Sequence, residues 1–113
     1  MTSRERVLKA VNHQVPDRVP MDLGGLKASG IAVEAYHKLK QMLKIPGKAR
    51  ALDPRFLIAD VEEAILKRFH LDVLPLDLTT VDFVKRPEKD WVPRRLFSGT
   101  DVLMPPDTRI EED

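Results

Sequence analysis

Cysteine is absent from the 113 residues of the chain. Disulfide bridges are therefore excluded, and so is any thiolate that would act as a nucleophile or as a metal ligand in this segment. The three histidines, His13, His37 and His70, are scattered without the spacing of metal ligands. We therefore expect this segment to bind no metal and no cofactor by itself, and we interpret the histidines as structural, with His37 on the exposed side of a helix.

An excess of charge of one sign is also missing, as are long apolar runs. The chain carries 19 basic and 18 acidic residues, for a net charge of +1, and this balance argues against a nucleic-acid partner. No apolar stretch approaches the roughly 20 residues that a membrane helix needs. The charged start, residues 1–6, has no signal-peptide core. We expect a cytoplasmic protein without a membrane partner.

Two helices are indicated in the first half of the chain. Thr2 and Glu5 have the spacing of a capping box, and the apolar residues that follow predict a helix over about residues 3–13. A second apolar stripe predicts a helix over about residues 31–44. Its members are Ala32, Tyr36, Leu39 and Leu43. The nearby lysines, which we interpret as a solvated face, are Lys38, Lys40, Lys44 and Lys48.

A third helix is predicted to end near His70. Asp53 followed by Pro54 resembles an N-cap with proline at the first helical position, and Asp60 offers a second possible start.

Strands are indicated after the first and third helices and near the end of the chain. Residues 18–23 and 71–76 are short and apolar, and strands separated by helices favour parallel pairing. Residues 91–97 and 101–104 flank Ser98–Gly99–Thr100, a loop typical of a hairpin. The order predicts an α/β fold, and we treat residues 1–113 as one segment, with the hairpin as a surface insertion.

The most informative candidate site residues follow the first predicted strand. Ligand sites of α/β folds gather at the carboxyl ends of parallel strands, where glycine lets the backbone approach a ligand. Asp22, Gly24 and Gly25 occupy such a position, and Ser29 follows in the same connection. The structural alternative is that Asp22 caps a turn and that the glycines only satisfy backbone geometry.

Asp77 follows the second predicted strand and is a further candidate for the same site. Together with Asp22 it would supply a general base or bind a cationic group. A lone loop aspartate is more often structural. Asp72, near the start of this strand, is interpreted as a turn or cap residue.

Residues 4–13, RERVLKAVNH, and residues 16–20, PDRVP, resemble the opening of proteins of the uroporphyrinogen decarboxylase and cobamide methyltransferase superfamily. Residues 22–25, DLGG, and 29–31, SGI, resemble its methyltransferase-like branch in particular. A looser similarity continues through Asp53, the helix ending at Phe69, and residues 71–73. The resemblance therefore covers nearly the whole chain, with its most specific part at the start.

The resemblance implies a (β/α)8 TIM barrel, which takes about 250 residues. This chain would supply the N-terminal helix, the first β/α units and the hairpin of a truncated barrel domain. In decarboxylases of the family an arginine-rich segment after the first strand binds substrate carboxylates. Residues 23–29 contain Lys27 and no arginine, which argues against a porphyrinogen substrate.

Three functions follow as alternatives. The first is methyl transfer between a corrinoid carrier and a small thiol-type acceptor, for which the family implies zinc bound by later histidine and cysteine residues and a corrinoid protein as partner. The second is a uroporphyrinogen-type decarboxylase of porphyrin metabolism. The third is a free-standing binding or assembly module. In the enzyme alternatives we expect the segment alone to be inactive and to self-associate.

Overall fold

The computed structural model describes residues 1–53, 56–75 and 91–105. They form a mixed fold of helices and strands that divides into two compact units. Among the described residues, the first unit comprises 1–30 and 61–75, and the second comprises 31–53, 56–60 and 91–105. None of the described helices is long and apolar enough to cross a membrane.

The first unit contains two helices, α1 (Ser3–Val11) and α3 (Glu63–Arg68). The predicted capping box of α1 is confirmed, because Thr2 N–H donates to Glu5 Oε2 over 2.8 Å and Glu5 N–H donates to Thr2 Oγ1 over 3.2 Å. Both side chains thereby satisfy amides that the helix itself leaves without partners. The helix ends at Val11, two residues before its predicted end at His13. His13 itself has a left-handed φ of 57°.

The predicted strands at 18–23 and 71–76 are not strands in the described residues. Residues 18–25 and 70–73 nevertheless lie side by side. Met21 O accepts a hydrogen bond from Asp72 N–H over 2.8 Å. A Cβ built on Gly25 would lie 2.6 Å from Val73 Cγ1. The predicted parallel sheet is thus reduced to a side-by-side alignment without a hydrogen-bonded ladder.

Side chains replace part of that ladder. In a parallel pair, Met21 would donate to the carbonyl of residue 70 and accept from the amide of residue 72. The second bond is present, but Met21 N–H donates to the Asp72 carboxylate over 3.0 Å. The His70 carbonyl accepts instead from Arg18 Nη2 over 2.9 Å. These substitutions explain why the sequence pattern of a strand does not become one.

The second unit contains α2 (Val33–Met42), the pair β1 (Ala51–Asp53) and β2 (Ile58–Ala59), and the hairpin β3 (Val92–Arg95) and β4 (Asp101–Met104). Both sheets are two-stranded and antiparallel. The predicted hairpin is confirmed. Its turn is closed by Leu96 N–H, which donates to Thr100 O over 2.9 Å, and Gly99 takes a φ of 82°. Val102 and Met104 of β4 are buried, so the hairpin contributes to the core of its unit.

Helix α2 differs from its prediction in the residues that it buries. Tyr36 is buried as the predicted stripe expects, but the other buried positions are Val33 and Lys40 instead of Ala32 and Leu39. Lys40 is only 2% exposed, so its assignment to a solvated face was wrong. His37 is half-buried, and its Nδ1 is enclosed without a hydrogen-bond partner, contrary to the predicted exposed position.

The predicted start of the third helix at Asp53 was also wrong. Asp53 lies in β1 and pairs with Ile58. Helix α3 starts at Glu63, close to the alternative start at Asp60, with Glu62 at the N-cap position but without a capping hydrogen bond from its side chain. It ends near His70 as expected, because His70 takes a left-handed φ of 53°.

Candidate functional site

Four of the five candidate site residues lie in one compact loop of the first unit. Asp22 Oδ1 accepts from Gly25 N–H over 2.8 Å. Gly24 N–H donates to Ser29 O over 2.9 Å, which closes the loop. The Ser29 hydroxyl accepts from Leu26 N–H over 3.0 Å and donates to Leu26 O over 3.1 Å. The loop therefore holds its shape through its own hydrogen bonds.

The two glycines are required by close packing. Gly24 has a φ of 86°, and a Cβ at this position would lie 2.6 Å from Val61 Cγ2. A Cβ on Gly25, which is buried, would lie 2.5 Å from Asp22 Oδ1 and 2.6 Å from Val73 Cγ1. The backbone approaches protein side chains at both positions, as the structural alternative expects.

Asp22 combines a structural bond with an exposed side chain. One carboxylate oxygen accepts from Gly25, and the residue is open to solvent. The turn therefore holds the carboxylate in place without enclosing it. Asp77, the fifth candidate, lies outside the described residues, so its proximity to Asp22 stays a prediction.

The sequence reasoning missed a second group of charged residues in the same unit, which we call the ion cluster: Arg6, Asp17, Arg18 and Asp72. Asp72 has a fully buried side chain and accepts from Arg6 Nη1 over 2.5 Å and from Arg18 Nη1 over 2.7 Å. Arg6 Nε also donates to Asp17 over 2.7 Å. The cluster joins α1, the turn after it, and both side-by-side segments.

Hydrogen bonding keeps both carboxylates of the ion cluster ionised. Burial alone would raise the pKa of Asp72, but bonds from Met21 N–H, Ser3, Arg18 and Arg6 outweigh it and hold the pKa well below its usual range. The bond from Arg6 lowers the pKa of Asp17 to about 2. The bond to Asp17, followed by the bond to Asp72, raises the pKa of Arg6.

The interpretation of Asp72 as a turn or cap residue was therefore wrong. It is the only charged residue between Leu71 and Pro75, and a carboxylate in an apolar segment that becomes buried needs a cationic partner. That mismatch was the available signal. It did not identify Arg6 and Arg18 as the partners, because they lie 66 and 54 residues away in the chain.

An open cavity of about 510 Å³ lies beside the ion cluster, between the start of α1 and the end of α3. Its lining includes Arg6, Arg18, Lys67 and His70, and none of the candidate loop residues. Each nitrogen of the Arg6 guanidinium already donates within the protein, as do both terminal nitrogens of Arg18. These cations are therefore neutralised by the protein's own groups.

The described residues contain no group of three histidine, aspartate or glutamate side chains that could hold a metal ion. With no cysteine in the sequence, they do not fit the zinc site that the family resemblance implies. No protein-family model, no curated protein and no solved structure matches the chain.

Proposed function

We propose that this chain is the N-terminal segment of a uroporphyrinogen decarboxylase-like (β/α)8 barrel of the methyltransferase-like branch. The complete enzyme would move a methyl group between a corrinoid carrier and a small thiol-type acceptor. The observation that carries the proposal is the contact between residues 18–25 and residues 70–73, which are joined by the hydrogen bond from Asp72 N–H to Met21 O. Each of these segments follows a helix, which is the repeating order of an α/β barrel.

The sparse core of the first unit supports membership of a larger fold. Among its described residues, Ile65 is the only buried aliphatic or aromatic side chain. Val19 and Leu74, on the two side-by-side segments, are 79% and 69% exposed. Parallel strands are normally covered on both faces, so these side chains fit positions that neighbouring barrel elements would bury.

The loop of Asp22 and the two glycines supports a role in substrate binding if residues 18–23 form a barrel strand in the complete enzyme. It leaves the carboxyl end of residues 18–23, where barrel enzymes place their substrate-binding groups. The exposed Asp22 carboxylate would act as a general base or bind a cationic group of the substrate. Zinc and the corrinoid would be held by other parts of the barrel.

The charge of this loop favours methyl transfer over decarboxylation of a porphyrinogen. Lys27 is the only cationic residue between Leu23 and Ser29. Recognition of several substrate carboxylates favours the bidentate guanidinium of arginine, which this stretch lacks.

The gene provides the first test. We expect the frame that continues after Asp113, or an adjacent frame, to encode further β/α units with histidine and cysteine ligands. The joined or co-expressed polypeptides should transfer a methyl group from methylcobalamin to a simple thiol. The transfer is measured by the loss of methylcobalamin absorbance. If the neighbouring frames encode no such units, or if the assembled protein is inactive with methylcobalamin, the proposal fails.

The second test separates the two roles of Asp22 in that assembled enzyme. Asp22→Asn keeps an oxygen that accepts from Gly25 N–H but removes the charge, whereas Asp22→Ala removes both. We expect both variants to lose turnover and only Asp22→Ala to lose stability as well. Asp101→Ala, in the hairpin, is the control and should leave turnover unchanged. Full turnover by Asp22→Asn would assign Asp22 to the turn alone.

A further inference from the structure

The two side-by-side segments of the first unit carry little information about their own register. Residues 71–75 offer Leu71, Val73 and Leu74, and residues 18–23 offer similar aliphatic side chains. A slip of two residues would place one aliphatic side chain where another of similar size stood, so the apolar pattern specifies the alignment weakly. Between the described parts of these segments, a single main-chain hydrogen bond is formed, from Asp72 to Met21.

The ion cluster, in contrast, fits one alignment only. Asp72 binds Met21 twice, through its amide to Met21 O and through its carboxylate to Met21 N–H. The same carboxylate accepts from Arg6 and Arg18. These bonds come from two parts of the chain, α1 and residues 18–21, and they converge on one residue whose side chain is fully buried.

A slipped alignment would break all of these bonds at once. After a slip of two residues, Leu74 or His70 would take the place of Asp72, and neither carries a carboxylate. Arg6, which has only 8% of its side chain exposed, would lose its buried partner. Arg6 would keep Asp17, but Asp72 would lose both of its cationic partners, and a buried carboxylate without them costs more than an exchange of aliphatic side chains gains.

We propose that the ion cluster is a register lock, which selects the alignment of residues 18–23 with residues 71–75 rather than adding net stability. A buried ion pair offers little net stability over apolar residues of similar volume, because desolvation offsets the attraction. Its effect lies in the penalty that it places on every other alignment. The lock acts in folding and does not depend on the reaction of the protein.

The absence of cysteine makes disulfide trapping a direct test. Met21→Cys with Leu71→Cys reports the native register, because the bond from Asp72 N–H to Met21 O places Met21 opposite Leu71 in a parallel pair. Met21→Cys with Phe69→Cys and with Val73→Cys report slips of two residues. Each pair is oxidised in a glutathione buffer in the full chain, and a tenfold excess of the native disulfide corresponds to a register preference of about 1.4 kcal/mol.

The decisive background replaces the ion cluster by apolar residues, with Arg6→Met, Arg18→Met and Asp72→Leu. We expect the native pair to dominate in the parent chain, and the slipped pairs to reach similar yields in this background while the helical circular-dichroism signal is kept. Arg95→Met with Asp101→Leu removes an exposed ion pair of the hairpin and should leave the trapping pattern unchanged. A single native register in the apolar background would overturn the proposal.

Asp72→Asn keeps the test decisive if the apolar background does not fold. This variant preserves the shape of the side chain and removes its charge, so slipped disulfides should increase from the parent level. If Asp72→Asn traps only the native pair, the cluster stabilises the unit without selecting its register, and the proposal is wrong.

Discussion

Substitution of Gly24 by alanine should be among the most damaging small changes to the first unit. The residue has a φ of 86°, where a side chain costs about 1–2 kcal/mol. The new Cβ would also lie 2.6 Å from Val61 Cγ2, and forced overpacking of this kind costs about 1–3 kcal/mol. The sum is about 2–5 kcal/mol, which is comparable to the free energy of unfolding of a small domain.

Hydrogen exchange read by mass spectrometry measures this loss without requiring a cooperative melt. The amide of Asp72, which donates to Met21, reports on the first unit, and we expect Gly24→Ala to abolish most of its protection. The matched control is Gly99→Ala. Gly99 has a similar φ of 82° but no atom within 4 Å of the added Cβ, so only the backbone cost applies.

A double-mutant cycle assigns the remaining loss to the contact. Gly24→Ala with Val61→Ala should recover part of the protection, because Val61→Ala removes the clashing methyl group. Equal losses for Gly24→Ala and Gly99→Ala, with no recovery in the double variant, would show that the close approach to Val61 does not exist.

Three further predictions concern the ion cluster and metal binding. Asp72→Ala should destabilise the first unit by about 3 kcal/mol, which is at the low end for a broken buried ion pair because the Arg18 side chain is 37% exposed. Hydrogen exchange of the α1 amides should become faster as a result. The folded-state pKa values of Asp17 and Asp72 are lowered, so their contribution is fully present above the ordinary carboxyl range, from about pH 4 upward. The contribution of Asp17 is lost as the pH falls through about 2, and that of Asp72 is lost at still lower pH. Circular dichroism should follow this loss in the parent, and less so in an Asp17→Asn, Asp72→Asn variant. Calorimetry of the chain with zinc should give no stoichiometric submicromolar binding at neutral pH, and such binding would contradict the reading of the three histidines as structural.

Local signals predicted the parts of the fold that local chemistry determines. The capping box of α1 and the glycine-centred turn of the hairpin were recognised because the residues that form them lie within a few positions of each other. The loop of Asp22, Gly24, Gly25 and Ser29 was found for the same reason.

Features that depend on distant partners were not predictable from one sequence. Residues 18–23 have the apolar pattern of a strand, but they do not form one. The Asp72 carboxylate accepts the hydrogen bond from Met21 N–H that a ladder of main-chain bonds would use. The burial of Lys40 follows from how α2 packs within its unit, and the apolar stripe predicted the burial of Tyr36 but not that of Lys40. Propensity gives no account of such tertiary contacts.

The interpretation of the chain as part of a barrel makes its clearest prediction about the chain in isolation. Val19, Leu74 and other apolar side chains of the first unit are exposed, and Ile65 alone is buried among its described aliphatic and aromatic residues. At about 25 cal/mol per Å², a few hundred Å² of uncovered apolar surface forfeits several kcal/mol. Such surface, beside unpaired backbone groups, favours association with other chains. Sedimentation velocity of the purified 113-residue chain over a range of concentrations should therefore give concentration-dependent oligomers or aggregates, and a monodisperse monomer at every concentration would contradict the barrel interpretation in favour of a free-standing module.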